Sequence, residues 1–331
     1  MDADSLQKLR EIEKIEDFVE FIKPYYPDLD IEQYTIEEIE KELMRVFVKI
    51  IGRILTYSPQ NMRDFLKDYL LQYEIMNIKQ IILGMIIGMS REQKSENVNF
   101  LVEEYLENSD FIKGLLEITS LDEVRVYMRG TKYYEAIREG ILYFKNNNEI
   151  FVLEAFLDQL YYRNLRKREE FLNRKEKKMI SLFIKIITEI YNLNLIYRGI
   201  INKIDKTLLS QFLVQHNLFL TKNVIEDLLN LENIDEFITK VREYFKGIEE
   251  LKNFYEKIDI KEEHLRWSYE GLYIEYFFSK FKTKLDDIDY STILQIFEIL
   301  IKKEKEIRFD IMPNTVKIIH EKYKLLERFQ K

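Results

Sequence analysis

A chain of 331 residues, 46% of them apolar, has enough material for two or three packed domains and is not a disordered segment. The absence of cysteine excludes disulfides, thiolate catalysis and thiolate metal sites, and scarce Gly (9) and Pro (4) favour long helices over turn-rich sheets. A net charge of −8 argues against a general nucleic-acid binder, which needs an excess of positive charge.

The N-terminal stretch MDADSLQKLREIEK is acidic and has no apolar core, so it predicts neither a signal peptide nor a transit peptide. Residues 1–45 hold 14 Asp and Glu against 6 Lys and Arg, a net of −8 that leaves the remainder near neutral. Ile15-Glu16-Asp17-Phe18 reads as a short acidic-apolar helix start, and Pro24 and Pro27 then predict a turn between helices. A second helix carries IEKELMRVF from Ile39, and a third carries EIMNIKQIILG, residues 74–84. In the third, Leu71, Ile75, Ile78, Ile81 and Ile82 recur at helical spacing, and Gly84 is expected at a left-handed C-terminal cap. The uncharged apolar run Gln80–Ser90 is about half of the roughly 20 residues needed to span a bilayer. No segment is expected to cross a membrane.

The same landmarks then return in order. Leu121-Asp122-Glu123-Val124 repeats the acidic-apolar start, LEAFLDQLYY from Leu153 the second helix, and EIYNLNLIYRG, residues 189–199, the box. Gly199 is again expected at the cap. A third series follows with Ile234-Asp235-Glu236-Phe237, YEGLYIEYFF from Tyr269 and the weaker echo EIRFDIMPNTV, residues 306–316. The second-helix glutamates Glu40, Glu154 and Glu270 lie 114 and 116 residues apart, and the box glutamates Glu74, Glu189 and Glu306 lie 115 and 117 apart. This period is far longer than that of a solenoid, so each copy is read as a small helical domain: 1–108, 109–221 and 222–331. The first copy is shorter at its front, and Pro313 predicts a kink or restart in the last helix. No sustained period-two run occurs, and the expected class is all-α.

Glu74 with Asn77, and Glu189 with Asn192, stand three apart and so share a helix face with Ile78 and Ile81 or Leu193 and Ile196. Polar pairs on an apolar stripe need partners if they are buried. Either each pair bonds to a neighbouring helix and fixes packing inside its domain, or the pairs face a cavity or partner surface shared by the three domains. Neither reading asks for chemistry. His216, His264 and His320 form no HExxH pair, and no GxxxxGK[ST], GxGxxG or GxSxG is present. LDDID at 285–289 resembles an aspartate-rich magnesium motif but has Tyr290 at its fifth position, so Asp286 and Asp287 suit a loop or helix start. No cofactor or metal is expected. The run RNLRKREEFLNRKEKK, residues 163–178, carries 8 Lys and Arg against 3 Glu. It is read as a solvated helix end or, through Arg163, Arg166, Lys167 and Arg168, as a patch for an acidic protein surface or anionic headgroups.

The boxes EIMNIKQIILG and EIYNLNLIYRG, with KKEKEIR at 302–308, resemble the repeated signature of the C subunit of V-type and archaeal A-type ATPases, which eukaryotes call the d subunit. TKYYEAI at 131–137 followed by LEAFLDQLYYRNL at 153–165 is similar to that family's middle domain. Phe309 departs from the pattern, standing where the family keeps an Asn. The resemblance implies a pseudo-threefold funnel of three helical domains that catalyses nothing. It would sit peripherally on the cytoplasmic face of a membrane, seated on the proteolipid ring and receiving the central shaft subunits of a rotary ATPase. Glu74, Asn77, Glu189, Asn192, Glu306 and Arg308 would then fix equivalent helices or line the socket. The alternative is a soluble, triplicated helical adaptor.

Overall fold

The computed structural model describes residues 1–172, 174–255, 265–285 and 292–329, with α-helices, short 3-10 turns and one π segment, and no strand among them. The chain is all-α. His264, Asp286, Asp287 and Tyr290 lie outside the described residues, as does the side chain of Glu270.

The helices in chain order are α1 (Ala3–Glu11), α2 (Ile15–Ile22), α3 (Ile36–Tyr57), α4 (Gln60–Ile86), α5 (Arg91–Glu96), α6 (Phe100–Leu106) and α7 (Ser109–Leu116). There follow α8 (Leu121–Tyr127), α9 (Tyr134–Asn147), α10 (Ile150–Arg168), α11 (Arg174–Ile201), α12 (Lys206–Phe212) and α13 (Lys222–Leu229). The series closes with α14 (Ile234–Lys246), α15 (Lys252–Tyr255), α16 (Leu265–Leu285), α17 (Thr292–Lys305) and α18 (Met312–Phe329). All three acidic-apolar landmarks begin helices, at Ile15, Leu121 and Ile234. The second and third are capped by side chains: Ser120 accepts from the Glu123 N–H, and Asn233 from the Glu236 N–H. Pro24 sits in a 3-10 turn, Lys23–Tyr25, that ends α2.

Two compact units result. One combines residues 1–59 with 290–331, the other spans 60–289. In the first, α3 packs on α17 and α18, and α2 also packs on α18. Ile39, Leu43, Phe47, Phe297, Leu300, Ile307 and Ile311 form part of its buried interior. In the second, α4 packs on α10 and α11 packs on α16. In each case a box-bearing segment therefore lies against a second-landmark helix from a different copy. Phe183 of α11 touches both Tyr69 and Phe277, with ring centroids 6.2 and 5.9 Å apart. The window Ile180–Ile201 of α11 is long and apolar enough to cross a membrane, but 67% of it is buried, as in the core helix of a folded unit.

Gly84 and Gly199 are not caps. α4 and α11 continue past them, and the left-handed positions are Gly88 (φ 79°) and Lys203 (φ 53°), four residues on in each copy. At these turns Met89 N–H returns to the Gly84 carbonyl (2.8 Å) and Ile204 N–H to that of Gly199 (2.9 Å). The two glycines are small because other side chains occupy their space. A Cβ on Gly84 would meet Lys94 Cγ at 2.8 Å, and one on Gly199 would overlap Leu209 Cδ1 outright. Gly199→Ala is therefore expected to destabilise the fold by about 1–3 kcal/mol through overpacking. A urea titration checks this, and an unchanged midpoint would show that Leu209 can move aside.

Candidate functional site

The boxes are the natural place to look for function, because they recur. In α4, Glu74 and Asn77 are 0% and 3% exposed among buried Ile75, Ile78 and Ile81. Asn77 clamps the backbone of Asn99: its Oδ1 accepts from the Asn99 N–H (2.9 Å) and its Nδ2 donates to the Asn99 carbonyl (3.1 Å). The second amide hydrogen goes to Glu103 Oε1 at 2.7 Å. Glu74 accepts from Asn108 Nδ2 and the Tyr133 hydroxyl, and pairs with Lys132 at 3.2 Å.

The second copy repeats the clamp. Asn192 Oδ1 accepts from the Val214 N–H (3.0 Å), and its Nδ2 donates to the Val214 carbonyl (2.9 Å). In both copies the clamped residue lies 22 positions downstream of the asparagine. The second hydrogen goes to Asn217 Oδ1 at 3.0 Å. Glu189 Oε2 gathers the backbone N–H groups of Leu218 (2.5 Å), Phe219 (2.9 Å) and Leu220 (3.1 Å), while Oε1 accepts from Tyr273. Residues 213–220 form no regular structure, so these N–H groups have no helix or sheet partner, and a buried carboxyl supplies the acceptor. Burial pushes the Glu189 carboxyl above its usual range, and the tyrosine and backbone bonds pull it back.

The third box is built differently. Residues Glu306–Ile311 form a π segment, in which backbone bonds close on the fifth residue rather than the fourth. Pro313 has no N–H for the carbonyl four residues before it, and the chain restarts there as expected: the π segment ends at Ile311 and α18 begins at Met312. Asn314 Nδ2 donates to the Asp310 carbonyl (2.7 Å) and Thr315 Oγ1 to that of Ile311 (3.1 Å). Within the π segment Asp310 is buried and Phe309 is only partly so, which puts the buried polar residue four positions after the box glutamate rather than three. Asp310 is 7% exposed and accepts from Arg10 of α1 at 3.3 Å. Burial raises its pKa, opposed by Lys305 and Arg10. Glu306 accepts from the Tyr26 hydroxyl at 2.6 Å and pairs with Lys303 at 3.2 Å. Arg308, which is partly exposed, pairs with Glu304 at 2.9 Å.

All three box glutamates thus accept a tyrosine hydroxyl, from Tyr133, Tyr273 or Tyr26. Burial and the adjoining carboxyl hold these hydroxyls well above the usual tyrosine pKa, so each remains a donor.

Of the basic run, Arg163, Arg166 and Lys167 stand at helical spacing on one exposed face of α10, and Arg168 leaves it. Arg163 and Lys167 are exposed, and Arg166 is exposed while donating to the Gln215 carbonyl at 2.9 Å. Arg168 turns inward, pairing with Asp68 at 2.5 Å and lying over Phe171. Beside it, Glu169 meets His216 Nε2 at 2.9 Å, and burial depresses the imidazole's pKa. Among the described residues no group of three His, Cys, Asp or Glu could hold a metal ion. The asparagine clamps were beyond sequence reasoning, because their partners are backbone groups. Glu103, Tyr26, Tyr133 and Asp310 carried no spacing that marked them either.

Residues 1–309 match the model of the family described as ATP synthase (C/AC39) subunit. The chain is 25% identical over 271 residues to the C subunit of the A-type ATP synthase of Methanocaldococcus jannaschii, covering 77% of this chain and 65% of that protein. It is 26% identical over 257 residues to the protein of the same name from Pyrococcus furiosus, covering 77% and 66%. To that of Pyrococcus horikoshii it is 21% identical over 324 residues, covering 96% and 82%. The chain therefore spans just under two thirds of the length of the first two relatives.

Proposed function

The chain belongs to the ATP synthase (C/AC39) subunit family, and from that premise we propose that it is a non-catalytic central-stalk subunit of an A-type or V-type rotary ATPase. In this reading it forms a socket that couples the rotating shaft to the membrane proteolipid ring, during ATP-driven ion transport or ATP synthesis. It lies peripherally at the cytoplasmic face of the membrane. Three copies, 1–108, 109–221 and 222–331, would form a pseudo-threefold funnel. The observation that carries the reading is the recurrence of one buried anchor at the same offset, Asn77 on Asn99 and Asn192 on Val214. A coupling that transmits torque has to resist deformation, and polar anchors that tie irregular segments onto close-packed helices supply that stiffness.

The test is an affinity pull-down of the tagged chain from mildly solubilised native membranes. Recovery of nucleotide-binding motor subunits, shaft subunits and a small proteolipid is the expected result. Recovery of soluble partners alone would favour a cytosolic adaptor instead.

Arg163 and Lys167 are the exposed members of the basic run and are proposed to steer the chain onto an acidic partner surface. The variant Arg163→Glu/Lys167→Glu is expected to weaken binding to the solubilised membrane sector several-fold at low salt, with the difference shrinking as salt rises. Equal binding at all salt concentrations would remove the patch from the interface. Arg168 is left intact in this test because its ion pair with Asp68 belongs to the fold.

A further inference from the structure

The two complete anchors differ at one point. The second amide hydrogen of Asn192 goes to a neutral acceptor, Asn217, whereas that of Asn77 goes to a carboxyl, Glu103. Glu103 lies on α6 and is 0% exposed. Its Oε1 accepts from Asn77 at 2.7 Å, while its Oε2 is buried with no hydrogen-bond partner. The groups around it are Glu74 and Asn77 from α4, Asn108 just before α7, and Lys132 and Tyr133 just before α9. Lys132 is half exposed and its ammonium is committed to Glu74 at 3.2 Å. Tyr133 and Asn108 also donate to Glu74.

A buried anionic oxygen with no donor is costly, and more so with a second carboxylate held by the same helix face. A neutral carboxylic acid in the same place avoids both penalties. We propose that Glu103 is a proton-operated latch: protonated, it lets α6 close on α4 through Asn77, and ionised, it puts a second negative charge beside Glu74 and releases the 97–108 segment. This gives the asparagine anchor of the first copy a titratable partner that the anchor of the second, Asn192 with Asn217, lacks.

The direction of the response follows from proton linkage. Burial above all holds the Glu103 carboxyl up to about 8, Asn77 pulls it back, and Glu74 pushes it further. Because the value is raised in the closed form, the latch is at full strength below the ordinary glutamate range. It weakens as pH rises toward 8 and then levels off.

The experiment is amide hydrogen exchange of the intact chain between pH 6 and 8, comparing residues 97–108 in the parent and in Glu103→Gln. Protection of this segment is expected to fall by up to about 100-fold more in the parent than in Glu103→Gln over these two pH units. An equal fall in the two proteins would overturn the proposal. Infrared titration supplies a second readout. A protonated carboxyl band present at pH 6, lost near pH 8 and missing from Glu103→Gln supports the latch, and the absence of any such band from the unmodified protein at pH 6 rejects it.

Discussion

Glu189→Ala is expected to destabilise the protein by about 4 kcal/mol or more, the largest effect of any single change at the boxes. The substitution leaves three backbone N–H groups, those of Leu218, Phe219 and Leu220, and the Tyr273 hydroxyl without their acceptor in a site that is 0% exposed. Each buried donor left without a partner costs about 1–3 kcal/mol, and water can recover only part of that. Tyr273→Phe removes one bond from the same carboxyl and should cost about 1–2 kcal/mol, which sets a scale within a single network. Urea unfolding of both variants against the parent provides the check. If Glu189→Ala came within about 1 kcal/mol of the parent, the carboxyl would not be what holds residues 213–220 in place.

Asn192→Asp is expected to cost about 3 kcal/mol at neutral pH, although it is nearly isosteric. The amide nitrogen faces two acceptors, the Val214 carbonyl and Asn217 Oδ1. An aspartate would turn an anionic oxygen toward both. Protonation relieves the clash, so the variant should regain stability as pH falls, opposite to an acid held by a cation. The third copy makes the matched control. Asp310 is the buried polar residue of the third box but is opposed by Arg10, so Asp310→Asn should stay within about 1 kcal/mol of the parent. Denaturant midpoints at pH 5 and pH 7.5 separate the cases. Equal penalties for the two substitutions would mean that Asp310 is not the third box's counterpart of the asparagines.

The helical class and the starts at Ile15, Leu121 and Ile234 were legible because apolar period and acidic first turns are local signals. The boxes were legible because they repeat. Their partners were not, since Asn77 and Asn192 read main-chain groups, which look alike at every residue. Pro313 announced a break, but nothing in the sequence said that a π segment would precede it, with Asp310 rather than Phe309 as the buried residue. Gly84 and Gly199 show how a correct observation can point to the wrong cause. Both matter at helix ends, yet for the space taken by Lys94 and Leu209 rather than for a left-handed backbone.

The unit built from residues 1–59 and 290–331 has a consequence for synthesis on the ribosome. The apolar face of α3, with Ile39, Leu43, Val46 and Phe47, emerges early but cannot be covered by α17 and α18 until residues beyond 290 have been translated. At roughly 5–20 residues per second, that delay is on the order of ten seconds to a minute. During it the nascent chain presents an amphipathic helix with no partner, a target for chaperones. The intervening residues 60–289 meanwhile have all of their own unit in hand. The order of birth is thus the reverse of the order of burial, and the first helices made are among the last to leave water.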